Sequence, residues 1–277
     1  MLGALPPQVA GPRYDPAAHG VGIVHLGIGA FHRAHQAAMT DAVLAGEGGD
    51  WRILGVSLRS PGVRDQLAPQ DGLYTLAIRD GASERRQVIG AVAGVLVAPE
   101  DPAAVIAAIA APATRIVTLT ITEKGYCHEP ASGALLADHP DIAHDLAHPA
   151  APRSAIGFLV AGLAARAAAD AGPLTIISCD NLPDNGRVLG GVVRALAQRL
   201  HPGLDRWIER NARFPATMVD RIVPATTSQD LAEAAATHGF EDAGLVKTEP
   251  FTQWVIENDF AGPRPAWDAA GAQLVPD

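Results

Sequence analysis

The chain is poor in lysine, cysteine and aromatic side chains, and it has no long apolar run. Lys124 and Lys247 are its only lysines, Cys127 and Cys179 its only cysteines, and aromatic residues make up 5% of the 277 positions. Two cysteines so far apart in sequence do not make a disulfide framework, so both are read as packed thiols of a reducing compartment. The formal net charge of −9 leaves no general basic face with which to displace counterions from a phosphate backbone, which argues against nucleic acid as a partner. No apolar stretch reaches the ~20 residues a membrane-spanning helix needs. The first residues carry Pro6, Pro7, Pro12 and Arg13 without an apolar segment ahead of a cleavage site, so no signal peptide is expected and a cytoplasmic location is.

What the chain does have is a globular balance, 48% hydrophobic and 18% charged, at a length that allows one large or two modest cores. Residues 1–20 read as an irregular lead-in because their prolines break ladders and helices. The stretch VGIVHLGIGAFHRAH at 21–35 reads as strand, tight turn and helix. Val21, Ile23, Val24 and Leu26 suit a strand buried on both faces of a parallel sheet. Gly27 and Gly29 supply the turn, and the amides that follow, including those of Ala30, Phe31 and His32, suit a pyrophosphate at a helix N-terminus. The GxGxxG pattern is incomplete, since its third position holds His32. An ordinary strand-to-helix turn remains the alternative.

Beyond the turn, residues 31–45 read as a helix ending at Gly46, and 51–58 as the second strand of a βαβ unit. Residues 73–80 and 87–97 are strand-like, an antiparallel excursion from the parallel core. A capped helix over 101–110 precedes a buried strand over 115–122, which runs into Glu123, Lys124 and Gly125, and polar groups there stand where open α/β sheets place ligands. A surface loop is expected over 133–152, a helix over 154–171, a strand over 174–179 ending in Asp180 and Asn181, a helix over 185–200 and a further turn or two over 204–211. No internal repeat is present.

Several residues carry two readings. Arg59, at the end of the second strand, suits the 2′-phosphate of NADP, or it is a surface arginine opening a helix. Asn181 is an oxygen-polarising amide near a nicotinamide or a strand-end cap. Asp220 and Arg221 line a site or form a structural ion pair. His25, His32 and His35 are a weak zinc candidate, because no carboxylate or thiolate joins them at ligand spacing. No tyrosine has a lysine four positions later, so a Tyr-x-x-x-Lys proton-transfer pair is absent.

Five segments taken together resemble the mannitol dehydrogenase family of polyol-specific long-chain dehydrogenases: GIGAFHRAH at 27–35, TEKGYC at 122–127, SCDN at 178–181, FPATMVDRIVPAT at 214–226 and EPFTQWVIE at 249–257. TEKGYC and SCDN are similar to the fructuronate reductase side of that family. The resemblance implies a Rossmann-like, doubly wound, mostly parallel α/β sheet with an antiparallel extension. It implies zinc-independent hydride transfer between NAD, or NADP, and a keto-sugar, keto-sugar acid or polyol. It places Gly27, Gly29 and Phe31 in the cofactor turn, Asn181 at the substrate oxygen and Asp220 along the site; position at the turn and at the strand ends adds Ala30, His32, Arg59, Thr122, Glu123 and Asn181 as cofactor-binding candidates. Family members continue into a helical C-terminal domain opening with Lys-x-x-x-x-Asn-x-x-His, and neither Lys124 nor Lys247 begins that pattern. The chain is therefore expected to be a dinucleotide-binding domain over 21–260 with a linker over 261–277, nearly inactive by itself; a non-catalytic dinucleotide-binding module is the alternative. Its substrate and oligomeric state stay open.

Overall fold

A computed structural model describes residues 5–81 and 83–276; positions 1–4 of the expected lead-in and position 277 of the expected linker lie outside the described residues. Within the lead-in, β1 (Val9–Ala10) pairs in parallel with a later strand. The apolar run then forms β2 (Val21–Leu26), and the glycine turn leads into α1 (Ala30–Ala34) and α2 (Gln36–Gly46). The single helix expected over 31–45 is thus two. At His35 the backbone leaves helical geometry, with φ −113° and ψ −88°, and its imidazole reaches the Gln253 carbonyl instead of lying along a continuous rod. Gly46 is the last helical residue, and Glu47 takes the cap.

The second strand is β3 (Arg52–Ser57), followed by α3 (Gly62–Leu67) and the hairpin of β4 (Tyr74–Asp80) and β5 (Ser83–Ile89). The strand expected over 87–97 breaks before β6 (Val92–Val97) because the Gly90 amide donates to the Asp41 carboxylate at 2.7 Å rather than to a neighbouring strand. α4 (Pro102–Ala110) is capped by Asp101, whose carboxylate accepts from the Ala104 amide at 2.9 Å, and β7 (Ile116–Leu119) follows. The expected loop over 133–152 holds α5 (Pro140–Ala147), a correction with a local cause. His139 caps it, Pro140 and Asp141 suit its first turn, and Ile142 turns an apolar side inward. The remaining elements are α6 (Ala155–Ala168), β8 (Leu174–Ser178), α7 (Asn185–Leu200), α8 (Leu204–Asn211), β9 (Ala212–Arg213), β10 (Thr217–Asp220), α9 (Ser228–His238), β11 (Val246–Thr248), β12 (Gln253–Glu257) and β13 (Gln273–Val275).

Six strands pair in parallel in the order β6-β3-β2-β7-β8-β9. Counted along the chain within this sheet, that is 3-2-1-4-5-6, the doubly wound order in which the winding reverses between the first and fourth strands, here β2 and β7. Ligands of such sheets sit outside the carboxyl ends at that reversal. The antiparallel extension is realised as two smaller sheets, β1-β5-β4-β11 and β10-β12-β13.

Side-chain alternation along β2 divides the core. Val24 and Leu26 face one layer with Phe158 and Leu163 of α6 and Leu189 and Val193 of α7. Ile23 faces the other layer, where Met39 and Val43 of α2 meet Trp254 and Trp267. The stretch 261–276, read from sequence as a linker, packs into this second layer. Trp267 is 1% exposed, its indole N–H donates to Thr40 Oγ1 at 3.0 Å, and β13 extends β12 in parallel. Burial of a large aromatic ring outweighs the polar composition around it. Trp267→Ala should therefore cost about 3–5 kcal/mol in urea denaturation; a loss under about 1 kcal/mol would mean that this segment is peripheral to the domain.

Candidate functional site

Two glycines shape the turn after β2 for different reasons. Gly27 has φ +93°, and a Cβ added there would stand 2.2 Å from the Thr120 carbonyl oxygen, so the chain itself demands glycine. Its amide donates to the Val56 carbonyl at 2.9 Å, and its carbonyl accepts from the Thr120 hydroxyl at 2.8 Å. Gly29 has an ordinary extended backbone, and the nearest atom to an added Cβ would be the Gly27 oxygen at 3.8 Å. No crowding within the described chain requires glycine at 29; the space beside it is open to a ligand. Gly29 is also the N-cap of α1 without a side-chain cap, which leaves the Ala30, Phe31 and His32 amides as first-turn donors without intrahelical acceptors.

The histidines around this turn are buried and directional. Thr120 Oγ1 spends its hydrogen on Gly27, so it accepts from His25 Nε2–H at 2.9 Å, and the Thr118 hydroxyl donates to His25 Nδ1 at 2.7 Å. His35 Nε2–H donates to the Gln253 carbonyl at 2.8 Å, its Nδ1 accepts from the Gln36 amide at 2.9 Å, and Gln36 Oε1 accepts from His32 Nδ1–H at 3.3 Å. The His32 ring stacks on His25 with centroids 3.3 Å apart. Burial lowers the His25 pKa to about 3 and the His35 pKa to about 4, and holds His32 well below the ordinary imidazole value, so all three are neutral near pH 7. Both ring nitrogens of His25 and His35 are already engaged, and among the described residues no group of three metal-binding side chains is gathered. His32 is fully buried, so its ring is not available at the open face of the turn.

The rest of α1 is structural. Arg33 donates to the Gly244 carbonyl at 2.6 Å, and the Tyr74 hydroxyl donates to the Arg33 carbonyl at 2.6 Å. Arg221 donates to the Ala34 carbonyl and, at 3.0 Å, to the Glu249 carbonyl. Asp220 and Arg221 therefore form no ion pair with each other. Arg221 turns back to α1, while Asp220 is exposed at the end of β10, opposite Gln253 in the ladder.

Beside the turn, a cleft of about 590 Å³ opens at the carboxyl ends of β3, β6 and β7, with Arg59, Ala98, Ile121, Gly125 and Phe158 in its wall. Arg59 is exposed at its edge. Cys127 also lines it, but burial pushes that thiol up to about 11, and Cys179 is held well above the usual thiol value by its own burial. Neither is a thiolate near pH 7.

The loop after β7 has unusual geometry. Thr122 has φ +64° and ψ +160°, a region populated almost only by glycine and costing about 1–3 kcal/mol for other residues. The Ile121 and Thr122 amides donate to the two Asp180 carboxylate oxygens at 2.9 and 3.0 Å, and the Tyr126 hydroxyl donates to Asp180 Oδ2 at 2.7 Å. Burial raises the Asp180 pKa against the pull of these donors. The sequence points to Asn181, whereas Asp180, just past the same strand β8, carries no signal of its own until these amides are seen to meet it.

Strand adjacency brings the Gly27–His32 turn, Thr122, Glu123, Asn181 and Arg59 to the carboxyl edge of the six-stranded sheet, and Thr122, Glu123 and Asn181 are exposed there. Asp220 belongs to a different sheet, at the end of β10. Lys124 is exposed on the loop, and Lys247 is buried and paired with Asp230.

The sequence profile of the mannitol dehydrogenase Rossmann domain matches residues 21–269. Mannitol 2-dehydrogenase of Cereibacter sphaeroides is 46% identical over 272 residues, 97% of this chain and 57% of that protein. D-mannonate oxidoreductase of Escherichia coli is 45% identical over 273 residues, 97% of this chain and 56% of that protein. Among solved structures, Pseudomonas fluorescens mannitol 2-dehydrogenase in ternary complex with NAD and D-mannitol superimposes with a TM-score of 0.94 at 45% identity, covering 99% of this chain and 56% of that one. The chain spans a little over half the length of these relatives.

Proposed function

The chain belongs to the mannitol dehydrogenase family, and from that premise we propose that it is the dinucleotide-binding part of an oxidoreductase that moves hydride between NAD(H) and a polyol or its keto-sugar or keto-sugar-acid counterpart. The observation that carries this reading is the open space at Gly29, located at the point where a 3-2-1-4-5-6 sheet reverses its winding. A pyrophosphate fits there because backbone can approach it closely and the Ala30 and Phe31 amides are free to donate.

Bound at that edge, the nicotinamide cofactor supplies the hydride chemistry. The chain's own residues hold and orient. Gly27 and Gly29 shape the cradle, Arg59 meets the adenosine ribose or its phosphate, and Thr122 and Glu123 border the crevice on the β7 side. Asn181 donates its amide to the substrate oxygen, and Asp220 lines the substrate side.

The general base is the part this chain does not supply: Lys247 is committed to Asp230, and Lys124 is exposed on the loop. A positioned base is worth ~10²- to 10⁴-fold in rate, so the 277-residue chain by itself should bind cofactor and turn over little. Met218, Ile222 and Phe251 are exposed around β10 and β12, an apolar edge that fits contact with the further helical part expected from the family.

Titration of the purified chain with NADH and NADPH, followed by turnover assays with fructose and fructuronate, tests the proposal. NADH should bind saturably. Arg59→Ala should weaken NADPH about tenfold or more and NADH less than about threefold, as expected for loss of a charge-assisted hydrogen bond to phosphate. An unchanged NADPH affinity would remove Arg59 from cofactor selection. Robust turnover would place the base within these residues, and binding without turnover even in a full-length relative context would favour the non-catalytic module.

A further inference from the structure

We propose that Asp180 is a positioning residue, one that holds the loop after β7 in the strained shape that forms one wall of the dinucleotide crevice. The proposal rests on the cofactor reading above.

Five described residues other than glycine have positive φ: Asp71, Thr122, Cys127, Asp170 and Asp184. Three are aspartates, whose short polar side chains tolerate the left-handed region, and Thr122 is the β-branched one, for which such a backbone is a genuine outlier. With ψ near +160°, Thr122 also lies outside the left-handed helical well that Cys127 occupies. A threonine keeps this conformation only where its surroundings over-determine it.

Asp180 supplies that constraint. Its two oxygens accept from consecutive amides, Ile121 at 2.9 Å and Thr122 at 3.0 Å, so one carboxylate fixes the peptide plane that leads into the strained residue. Tyr126 closes the far side of the loop onto the same carboxylate at 2.7 Å, and the Gly125 amide donates to the Thr122 carbonyl at 2.9 Å. The Asp180 backbone from which the carboxylate projects is itself anchored, because the Asn185 side-chain amide donates to the Asp180 carbonyl at 3.0 Å. On the near side, Thr120 is tied to the glycine turn through its hydroxyl on Gly27 and its amide on Leu26. The clip therefore connects the carboxyl ends of β2 and β7, which flank the reversal in the sheet, with that of β8 beside them. Released, Thr122 would relax to an ordinary extended or helical backbone and carry Glu123 away from the crevice.

The strain offers a test that a merely structural carboxylate would fail. Asp180→Asn keeps size but replaces one amide acceptor with a donor, and it should weaken NADH binding about tenfold or more. In a Thr122→Gly background the same change should cost less than about threefold, because glycine takes that backbone without strain and no longer needs holding. Equal losses in both backgrounds, or no loss in either, would overturn the proposal. Tyr126→Phe, which removes one of the three donors, should give a smaller loss that Thr122→Gly likewise relieves, and it serves if Asp180→Asn fails to fold.

Amide exchange measured without cofactor separates this proposal from the cofactor reading. Asp180→Asn should speed exchange at Ile121 and Thr122 while leaving β8 protected. That result in a protein that does not bind NADH would support the clip and sink the cofactor reading; unchanged exchange at both amides would sink the clip.

Discussion

Gly29→Val should reduce NADH affinity about 100-fold or more while moving the thermal midpoint by no more than about 3 °C, whereas Gly27→Ala should damage the fold itself. The two glycines stand two residues apart in the same turn, yet different neighbours demand them. At Gly27 an added methyl meets the Thr120 carbonyl oxygen at 2.2 Å, and φ +93° disfavours any L side chain. Conformational strain and the clash together should cost on the order of 3–5 kcal/mol, a large share of the roughly 5–15 kcal/mol that keeps a domain folded. At Gly29 the backbone is ordinary and an added side chain enters open space, so folding is nearly indifferent to it. That same space is where the proposed pyrophosphate approaches, and a branched side chain there would hold it away from the Ala30 and Phe31 amides. Calorimetric titration with NADH, together with thermal unfolding of both variants, checks the pair. Tight NADH binding by a folded Gly29→Val protein would mean that the turn is structural only.

Acid should destabilise the chain steeply, by on the order of 4 kcal/mol between pH 7 and pH 5. The cause is the set of buried neutral imidazoles. His25 has its pKa lowered to about 3, His35 to about 4 and His32 well below the ordinary value, each chiefly by burial. In the unfolded chain the same rings titrate near 6.5. Between the two values the unfolded state binds more protons, so the stability these groups allow is complete above about pH 6.5 and is lost as pH falls through the window toward 3–4. Each contributes up to about 1.4 kcal/mol per pH unit there. Burial raises the Asp41 and Asp180 carboxyls, which acts in the opposite sense and offsets part of the loss as they protonate. Urea midpoints measured at pH 7, 6 and 5 should fall progressively. A flat profile over that range would show that these rings are hydrated or already charged in the folded protein, and the directional chain through Thr120, Gln36 and Gln253 would then be wrong.

Local chemistry made the central features readable in advance. The β-branched run before Gly27 announced β2, and the paired glycines announced the turn. Buried apolar runs ending in polar residues point to the carboxyl ends of these strands, but β7 ends at Leu119, short of the strand expected over 115–122, and β8 at Ser178, so Thr122, Glu123 and Asn181 stand in the loops just beyond them. Features fixed by distant partners were not legible. Nothing near His35 in sequence signals that its ring will bond the carbonyl of Gln253 and break a helix to do so. Asp180 reads as one more strand-end polar residue until the fold brings the Ile121 and Thr122 amides to it across 58 or more positions. Trp267 sits among prolines and glycines that suggest a linker, and only the opposing Trp254 and Thr40 make it core. Helix α5 is hidden for a local reason: its His, Pro and Asp residues read as loop formers, although at a helix start they are cap and first-turn residues.

Hydrogen exchange read by mass spectrometry on the chain with and without saturating NADH tests the central claim most directly. Binding across the carboxyl edge of the six-stranded sheet predicts added protection confined to the segments around residues 27–32, 58–60 and 121–125, with the β1-β5-β4-β11 sheet unaffected. Protection elsewhere, or none at NADH concentrations that saturate a family relative, would contradict the assignment of this edge as the dinucleotide site.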